Sequence, residues 1–145
     1  MCLLISIPLI AQLYVEPEKE VECSVFLAKE GRGRAQQGLE MWDDYIFSCE
    51  DGGHVNIYDF KSADPKPVAG FELASSHPDN HVNNVCFGVE TKRGASFPLL
   101  YITNGKVGSE LEWLCFVESI TRRGKRFSSE IAQTIELDGS KWAEK

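Results

Sequence analysis

Positive charge is scarce in this chain, which has 15 Lys and Arg against 22 Asp and Glu and a net charge of -7. An acidic chain lacks the positive field that nucleic-acid phosphates and anionic lipid surfaces require, so neither partner is predicted. Histidine is also scarce, with 3 residues, and the 5 cysteines form no Cys-x-x-Cys pair. The spacing of a structural zinc site is therefore missing, and no metal or cofactor is predicted.

Long apolar runs are absent, and so is any sustained helical periodicity. The apolar stretch Leu3 to Ile10 is too short to cross a bilayer, so no membrane span is predicted. Residues 1–11 are either the remnant of a secretion signal, without its basic start, or a first β-strand interrupted at Pro8. Few helices are expected, because no long stretch places its apolar residues on one helical face.

Short strand-like segments separated by turn signals occupy the rest of the chain. Residues 12–38 are predicted to hold an N-terminal strand, Val21 to Ala28, and a loop. Residues 39–80 are predicted to form a first blade-like unit, in which Asp51-Gly52-Gly53 is a tight-turn signal between two strands. The strands predicted in this unit are Tyr45 to Cys49, Val55 to Phe60 and Val68 to Ala74.

A second unit with the same order of strands and turns is predicted over residues 81–140. Its turn signals are Asn104-Gly105 and the basic segment Arg122 to Arg126. The strands of both units are apolar at successive positions, so both faces of each small sheet should be covered. The pattern therefore predicts an all-β fold of four-stranded antiparallel blade-like sheets. The strands of the second unit are Val82 to Val89, Leu99 to Thr103, Trp113 to Val117 and Ser129 to Leu137.

These segments resemble those of the β-propeller superfamily, in the style of WD40-like and lactonase-like secreted bacterial propellers. Tyr58-Asp59 is similar to the Trp-Asp ending of the third strand of a blade, and the same order of segments recurs from Val82 to Leu137. The resemblance implies a partial β-propeller of about two blades, whereas closed propellers have about four to eight. Missing blades, or self-association that supplies them from other chains, are therefore expected.

The densest group of polar residues lies between Ser75 and Asn84. In propellers the strand that follows such a connection lies nearest the central channel, so the resemblance implies a ligand site at the channel mouth. Its candidate residues are His77, Asp79, His81 and Asn83, and on a strand the last two would point to the same face. The alternative is that Pro78 and its neighbours form an ordinary turn and that His81 caps the strand. Nothing in the spacing identifies catalytic residues.

Two further groups of residues allow more than one interpretation. Arg122, Arg123, Lys125 and Arg126 are predicted to form a solvated hairpin tip, and a contact with an anion or a partner is the alternative. Three of the cysteines, which lie inside apolar strand-like runs, are predicted to be buried thiols rather than disulfides or nucleophiles. They are Cys49, Cys86 and Cys115.

The leading functional hypothesis is a non-enzymatic binding or interaction module that presents loops to a protein, a peptide or a glycan. A hydrolase or lyase with its site around His77, His81 and Asn83 is the second hypothesis. The third is a truncated fragment of a longer propeller protein without independent function. The apolar start and the resemblance favour secretion or the periplasm, but cysteines without a clean pairing favour a reducing compartment, so the compartment stays open.

Overall fold

A computed structural model describes residues 35–64, 66–105 and 108–137, which form eight β-strands in two four-stranded antiparallel sheets. The predictions for residues 1–34, including the secretion signal or first strand, lie outside the described residues. Sheet A consists of β1 (Gln36–Trp42), β2 (Tyr45–Glu50), β3 (His54–Asp59) and β4 (Ala69–Glu72). Sheet B consists of β5 (Asn84–Phe87), β6 (Leu100–Thr103), β7 (Leu114–Arg123) and β8 (Arg126–Glu136).

In each sheet, strands that are neighbours along the chain are also neighbours in space, with orders β1-β2-β3-β4 and β5-β6-β7-β8. This is the simple meander of a propeller blade. The all-β prediction of four-stranded antiparallel blade-like sheets is therefore confirmed. Within the described ranges, no helix has the length and apolar character that a membrane span would need.

The hairpin of β2 and β3 forms the centre of sheet A because local sequence and burial agree there. Gly52 and Gly53 have φ values of 88° and 95°, which glycine adopts without the clash that a Cβ would cause. Phe47 pairs with Ile57 on one face, and Ile46 pairs with Tyr58 on the other. All four side chains are buried. The successive apolar positions are thus explained by burial on both faces of the sheet.

The two sheets stack face to face, with β1 against β5 and β4 against β8. Along the first contact, strands β1 and β5 run in the same direction. Gly38 lies against Val82 and Val85, and further along Trp42 meets Phe87 with 5.9 Å between ring centroids. A Cβ on Gly38 would lie 2.9 Å from the carbonyl oxygen of Val82, so glycine permits this close approach. Equivalent strands are therefore stacked with equivalent ends together.

Aromatic side chains fill the space between the sheets. The Phe47 ring lies 5.1 Å from Phe97 and 6.4 Å from Phe127, in edge-to-face contacts. Phe97 and Phe127 stack at 5.9 Å with 26° between their planes. Such pairs contribute more than their buried area alone, by about 0.5 to 1.5 kcal/mol each. This cluster holds the two sheets in their mutual orientation.

Because the sheets are aligned, each end of the molecule gathers connections from both. One end holds the β2–β3 turn, the β4–β5 connection and the β6–β7 connection, and we call it the rim end. At the opposite end, named the basic end, lie the β1–β2, β3–β4, β5–β6 and β7–β8 connections. The predicted site residues therefore all lie at the rim end, and the predicted basic hairpin tip lies at the other.

Several strand boundaries differ from the predicted ones, and at two places the structure shows the reason. The strand predicted from Val82 begins at Asn84, because Val82 has a φ of 44°, outside the extended region. The predicted basic turn narrows to Gly124-Lys125, because Arg122 and Arg123 continue β7 and Arg126 begins β8. Cross-strand pairing with β8 extends as far as Arg123 and Arg126.

The three described cysteines are free thiols in different environments. Cys49 is 0% exposed, and burial, together with the charge of nearby Glu118, raises its pKa to about 12. Cys115 is also buried, and burial raises its pKa. Cys86 is exposed, so the prediction of a buried thiol is wrong at this position. It lies on the face of sheet B that points away from sheet A, where no described strand covers it.

Alkylation with iodoacetamide near pH 8 is expected to modify Cys86 while leaving Cys49 and Cys115 intact in the folded chain. The thiolate is the reactive form, and both burial and a raised pKa keep it rare at the two protected positions. Peptide mass spectrometry over a time course measures each site separately. Modification of Cys49 as fast as that of Cys86 would contradict the buried environment of Cys49. Addition of urea should make all three reactive.

Candidate functional site

The β4–β5 connection folds onto the glycine turn between β2 and β3. Gly53 accepts a hydrogen bond through its carbonyl from the Leu73 amide at 2.8 Å, and Gly52 donates its amide to the Asn80 carbonyl at 2.7 Å. The Ser76 hydroxyl donates to the Gly52 carbonyl at 2.7 Å. The tight turn predicted from Asp51-Gly52-Gly53 therefore serves as the support for the polar connection.

Two buried asparagine side chains hold the backbone of this connection. Asn80, 0% exposed, donates from Nδ2 to the Ser75 carbonyl at 2.9 Å and accepts at Oδ1 from the Val82 amide at 3.2 Å. Asn104, beyond β6, accepts at Oδ1 from the His81 amide at 2.9 Å and donates from Nδ2 to the Asp79 carbonyl at 3.1 Å. The backbone on both sides of His81 is therefore fixed by side-chain amides.

Sequence reasoning did not identify this supporting role of Asn104. Asn104-Gly105 was predicted only as a turn signal. The dipeptide does follow β6, but the Asn104 side chain reaches residues 79 and 81 in the β4–β5 connection, more than 20 positions earlier in the chain. No local pattern marks such a contact.

His77 and Asp79 lie together in the connection. The Asp79 amide donates to Nδ1 of His77 at 3.1 Å, so this imidazole helps to close the turn around Pro78. The His77 amide donates to the Gly52 carbonyl at 3.2 Å. These contacts agree with the turn-forming alternative for the first half of the predicted site.

His81 forms a pair with Asp51, a residue that sequence analysis had assigned only to the glycine turn. Nε2 of His81 lies 3.5 Å from Oδ1 of Asp51, and the two side chains are 34% and 32% exposed. This distance is at the outer limit of hydrogen bonding but well within that of an ion pair. Both side chains are about one-third exposed, although the Asp51 Oδ1 atom that faces His81 is itself buried. The predicted site residues thus divide into a turn-forming pair and a half-exposed pair that includes Asp51.

Val82 separates His81 from Asn83 and has an unusual backbone conformation. Its φ of 44° is in the left-handed region, which is costly for a β-branched residue by about 1 to 2 kcal/mol. The side chain is 0% exposed and belongs to the core, and Asn80 holds its amide. Because residues 81–83 are not a strand, strict alternation does not determine where His81 and Asn83 point. Strained backbone of this kind is concentrated at functional sites.

Asn83 is partly buried at the rim, beside Gly105. A Cβ on Gly105 would overlap the Asn83 amide, so the glycine provides the space in which this side chain lies. Asn83 and the Asp51–His81 pair thus belong to the same end of the molecule. We name Asp51, His81 and Asn83 the rim triad.

The rim end and the basic end differ in charge. Among the described residues, the rim end has carboxylates, including Asp51, Asp79, Glu110 and Glu112, but no Lys or Arg. No group of three or more His, Cys, Asp or Glu among the described residues is arranged to hold a metal ion. The chemistry available at the rim is therefore that of carboxylate, imidazole and amide groups.

Two stacked meander sheets whose connections converge on a polar rim define a propeller-like architecture. No model of a protein family matches the chain, and no curated protein matches it. Two solved structures of Hsv2, a β-propeller protein, resemble it in part. Kluyveromyces lactis Hsv2 aligns with a TM-score of 0.41 and 10% identity, over 65% of this chain and 30% of that chain.

The second structure is KlHsv2 with loop 6CD replaced by a Gly-Ser linker. It aligns with a TM-score of 0.45 and 11% identity, over 71% of this chain and 31% of that chain. The chain thus spans about a third of the length of the solved structures that it resembles.

Proposed function

We propose that the chain is a non-enzymatic binding module that holds a polar ligand, a peptide or a glycan, at its rim end. The observation that supports this most directly is the half-exposed Asp51–His81 pair, presented on backbone that Asn80 and Asn104 hold in place. A site whose groups are already ordered loses less conformational entropy when a ligand binds. The strained Val82 between His81 and Asn83 is consistent with a constraint on where these side chains lie.

The donor and acceptor groups of the rim triad suit a neutral ligand rich in hydroxyl or amide groups. The Asp51 carboxylate accepts hydrogen bonds, whereas the His81 imidazole and the Asn83 amide offer both donors and acceptors. Phosphate recognition usually relies on Arg or Lys, and the described rim end has neither. Among the described groups of this end, the chemistry therefore favours peptide and glycan ligands over phosphorylated ones.

Printed glycan and peptide arrays first identify a ligand that the unaltered chain retains. His81→Ala is expected to weaken the binding of that ligand by about tenfold, or about 1.4 kcal/mol. The matched control is His77→Ala, because the His77 imidazole accepts the Asp79 amide within its own turn. Isothermal titration with the retained glycan or peptide measures both variants. Equal losses in the two variants, or arrays on which the unaltered chain retains nothing, would contradict the proposal.

The Asp51–His81 pair also supports a second candidate function, a hydrolase or lyase. A carboxylate beside an imidazole is the arrangement in which a general base is oriented for proton transfer. Turnover of chromogenic glycoside, ester or amide substrates, lost in His81→Ala but kept in His77→Ala, would favour the enzyme. Binding at the rim without turnover of the bound ligand favours the module.

The self-association expected from the small number of blades remains a prediction. The surface for it would be the face of sheet B that points away from sheet A, which includes Cys86, Tyr101 and Thr103. Size-exclusion chromatography with light scattering measures the molar mass directly.

A further inference from the structure

Positive charge in the described chain is confined to the basic end. Every Lys and Arg that the structure describes lies in or beside one of the connections there, although the whole chain has a net charge of -7. A local cluster of one sign produces an attractive field for opposite charge whatever the net charge. These residues are Lys61, Lys66, Lys92, Arg93, Arg122, Arg123, Lys125 and Arg126.

A cavity of about 280 Å³ opens at this end, at the seam between the two sheets. Tyr45 of β2 and Val68 of the β3–β4 connection line one side, and Arg122, Lys125 and Phe127 of the β7–β8 hairpin line the other. Ligand pockets start at roughly 300 Å³, so the volume suits one or two side chains rather than a large cofactor. Val68 is 42% exposed, although it is apolar, and it forms part of this wall.

The Arg122 guanidinium is held in place at the mouth of the cavity. Its carbon lies 4.9 Å from the centroid of the Tyr45 ring and 5.8 Å from that of Phe127, and its Nε donates to the Gly124 carbonyl at 2.8 Å. A stacked guanidinium keeps its remaining N–H groups directed outward for an acceptor.

Arg122 and Lys125 differ from Lys61 and Lys92, two other cations of the basic end, in their partners. Lys61 pairs with Asp44 and Lys92 pairs with Glu130, each at 2.8 Å. Neither Arg122 nor Lys125 has a carboxylate partner among the described residues. The two cations beside the cavity are therefore available to an anionic group from outside.

We propose that this cavity binds an acidic segment of a partner protein. One apolar side chain of the segment would insert against Val68 and Phe127, and flanking carboxylates would meet Arg122 and Lys125. A carboxylate of the chain itself, Asp59, also lines the cavity. A flat anionic membrane surface would leave the concave apolar wall unfilled, so a peptide whose apolar side chain enters the cavity beside Asp59 fits better than a membrane.

Fluorescence anisotropy tests the proposal with a short fluorescein-labelled peptide in which one leucine is flanked by Asp and Glu. A second peptide with Asn and Gln at the acidic positions measures the contribution of charge. The variants are Lys125→Gln and Val68→Glu in the full chain. Arg123→Gln is the matched control, because it removes the same charge from the same hairpin but lines a different surface depression, with Thr121 and Ser128.

Lys125→Gln is expected to weaken binding of the acidic peptide by about fivefold, and Val68→Glu by more than about tenfold. Arg123→Gln should change it by less than about twofold, and the neutral peptide should bind at least about tenfold more weakly. Near-UV circular dichroism should be unaltered, since Val68 and Lys125 are exposed.

Three outcomes would overturn the proposal. The first is an acidic peptide that does not bind. The second is an Arg123→Gln effect equal to that of Lys125→Gln, which would indicate a diffuse field and no site. The third is that phosphatidylserine vesicles bind the chain, with the same dependence on Val68 and Lys125, while the peptide does not. This result would assign the basic end to a membrane surface.

Discussion

Replacing Glu118 with alanine is expected to lower the free energy of unfolding by about 3 to 5 kcal/mol. Glu118 is in β7 and is 0% exposed. Its carboxylate accepts the Ala74 amide at 3.0 Å and the Ser75 amide at 2.8 Å, at the start of the β4–β5 connection. Alanine would leave the buried Ser75 amide without this acceptor and would open a cavity between the sheets. Equilibrium unfolding in urea measures the loss.

One further substitution separates the charge of Glu118 from its shape, and a second serves as a surface control. Glu118→Gln keeps the volume but places an NH2 group against one of the two amides, so its cost should be smaller, about 1 to 2 kcal/mol. Glu130→Gln is the matched surface control, because Glu130 pairs with Lys92 while 63% exposed, and it should cost less than about 1 kcal/mol. A Glu118→Ala variant no less stable than Glu130→Gln would show that Glu118 does not hold the connection.

Replacing Gly53 with alanine is expected to cost about 2 to 4 kcal/mol of stability and to loosen the rim. Gly53 has a φ of 95°, and a Cβ there would lie 2.8 Å from the Cα of Ser76. Because the obstacle is backbone, the β4–β5 connection would have to move. Urea unfolding measures the stability, and amide hydrogen exchange of residues 73–83 measures the local loosening.

Gly94→Ala is the control for backbone conformation alone. Gly94 has a φ of 88°, close to that of Gly53, but a Cβ there would have nothing within 4 Å. Its substitution should cost only the left-handed conformation of alanine, about 1 to 2 kcal/mol. The difference between the two variants isolates the contact with Ser76. Equal costs would mean that the connection does not depend on this close approach.

The Glu118→Ala and Gly53→Ala variants connect stability with the proposed function, since the β4–β5 connection carries His81 and Asn83. Glu118 holds its first residues, and the glycine turn supports its middle. If the rim binds a ligand, Gly53→Ala should weaken binding even where most of the chain remains folded. Gly94 is in the β5–β6 connection at the basic end, so Gly94→Ala should leave rim binding unaltered.

Part of the candidate site could be predicted from the sequence, because the polar connection before β5 is conspicuous there. His77, Asp79, His81 and Asn83 do lie at one end of the molecule, but their contacts could not be foreseen. Asp51 is 30 positions before His81 along the chain, and only the folding of the connection onto the glycine turn brings the pair to 3.5 Å. Asp51 looked like a turn residue because its local neighbours are two glycines.

Local chemistry determined the class of fold and most of the strands, although β1 (Gln36–Trp42) was not among those predicted. Apolar residues at successive positions and the glycines of the β2–β3 turn act within a few residues, so their effects can be inferred from the sequence. The stacking of the sheets decided the rest: the Asp51–His81 pair, the amides held by Glu118, the exposure of Cys86 and the gathering of the described Lys and Arg residues at one end. Each of these depends on residues that are distant in the chain and meet only when the two sheets pack.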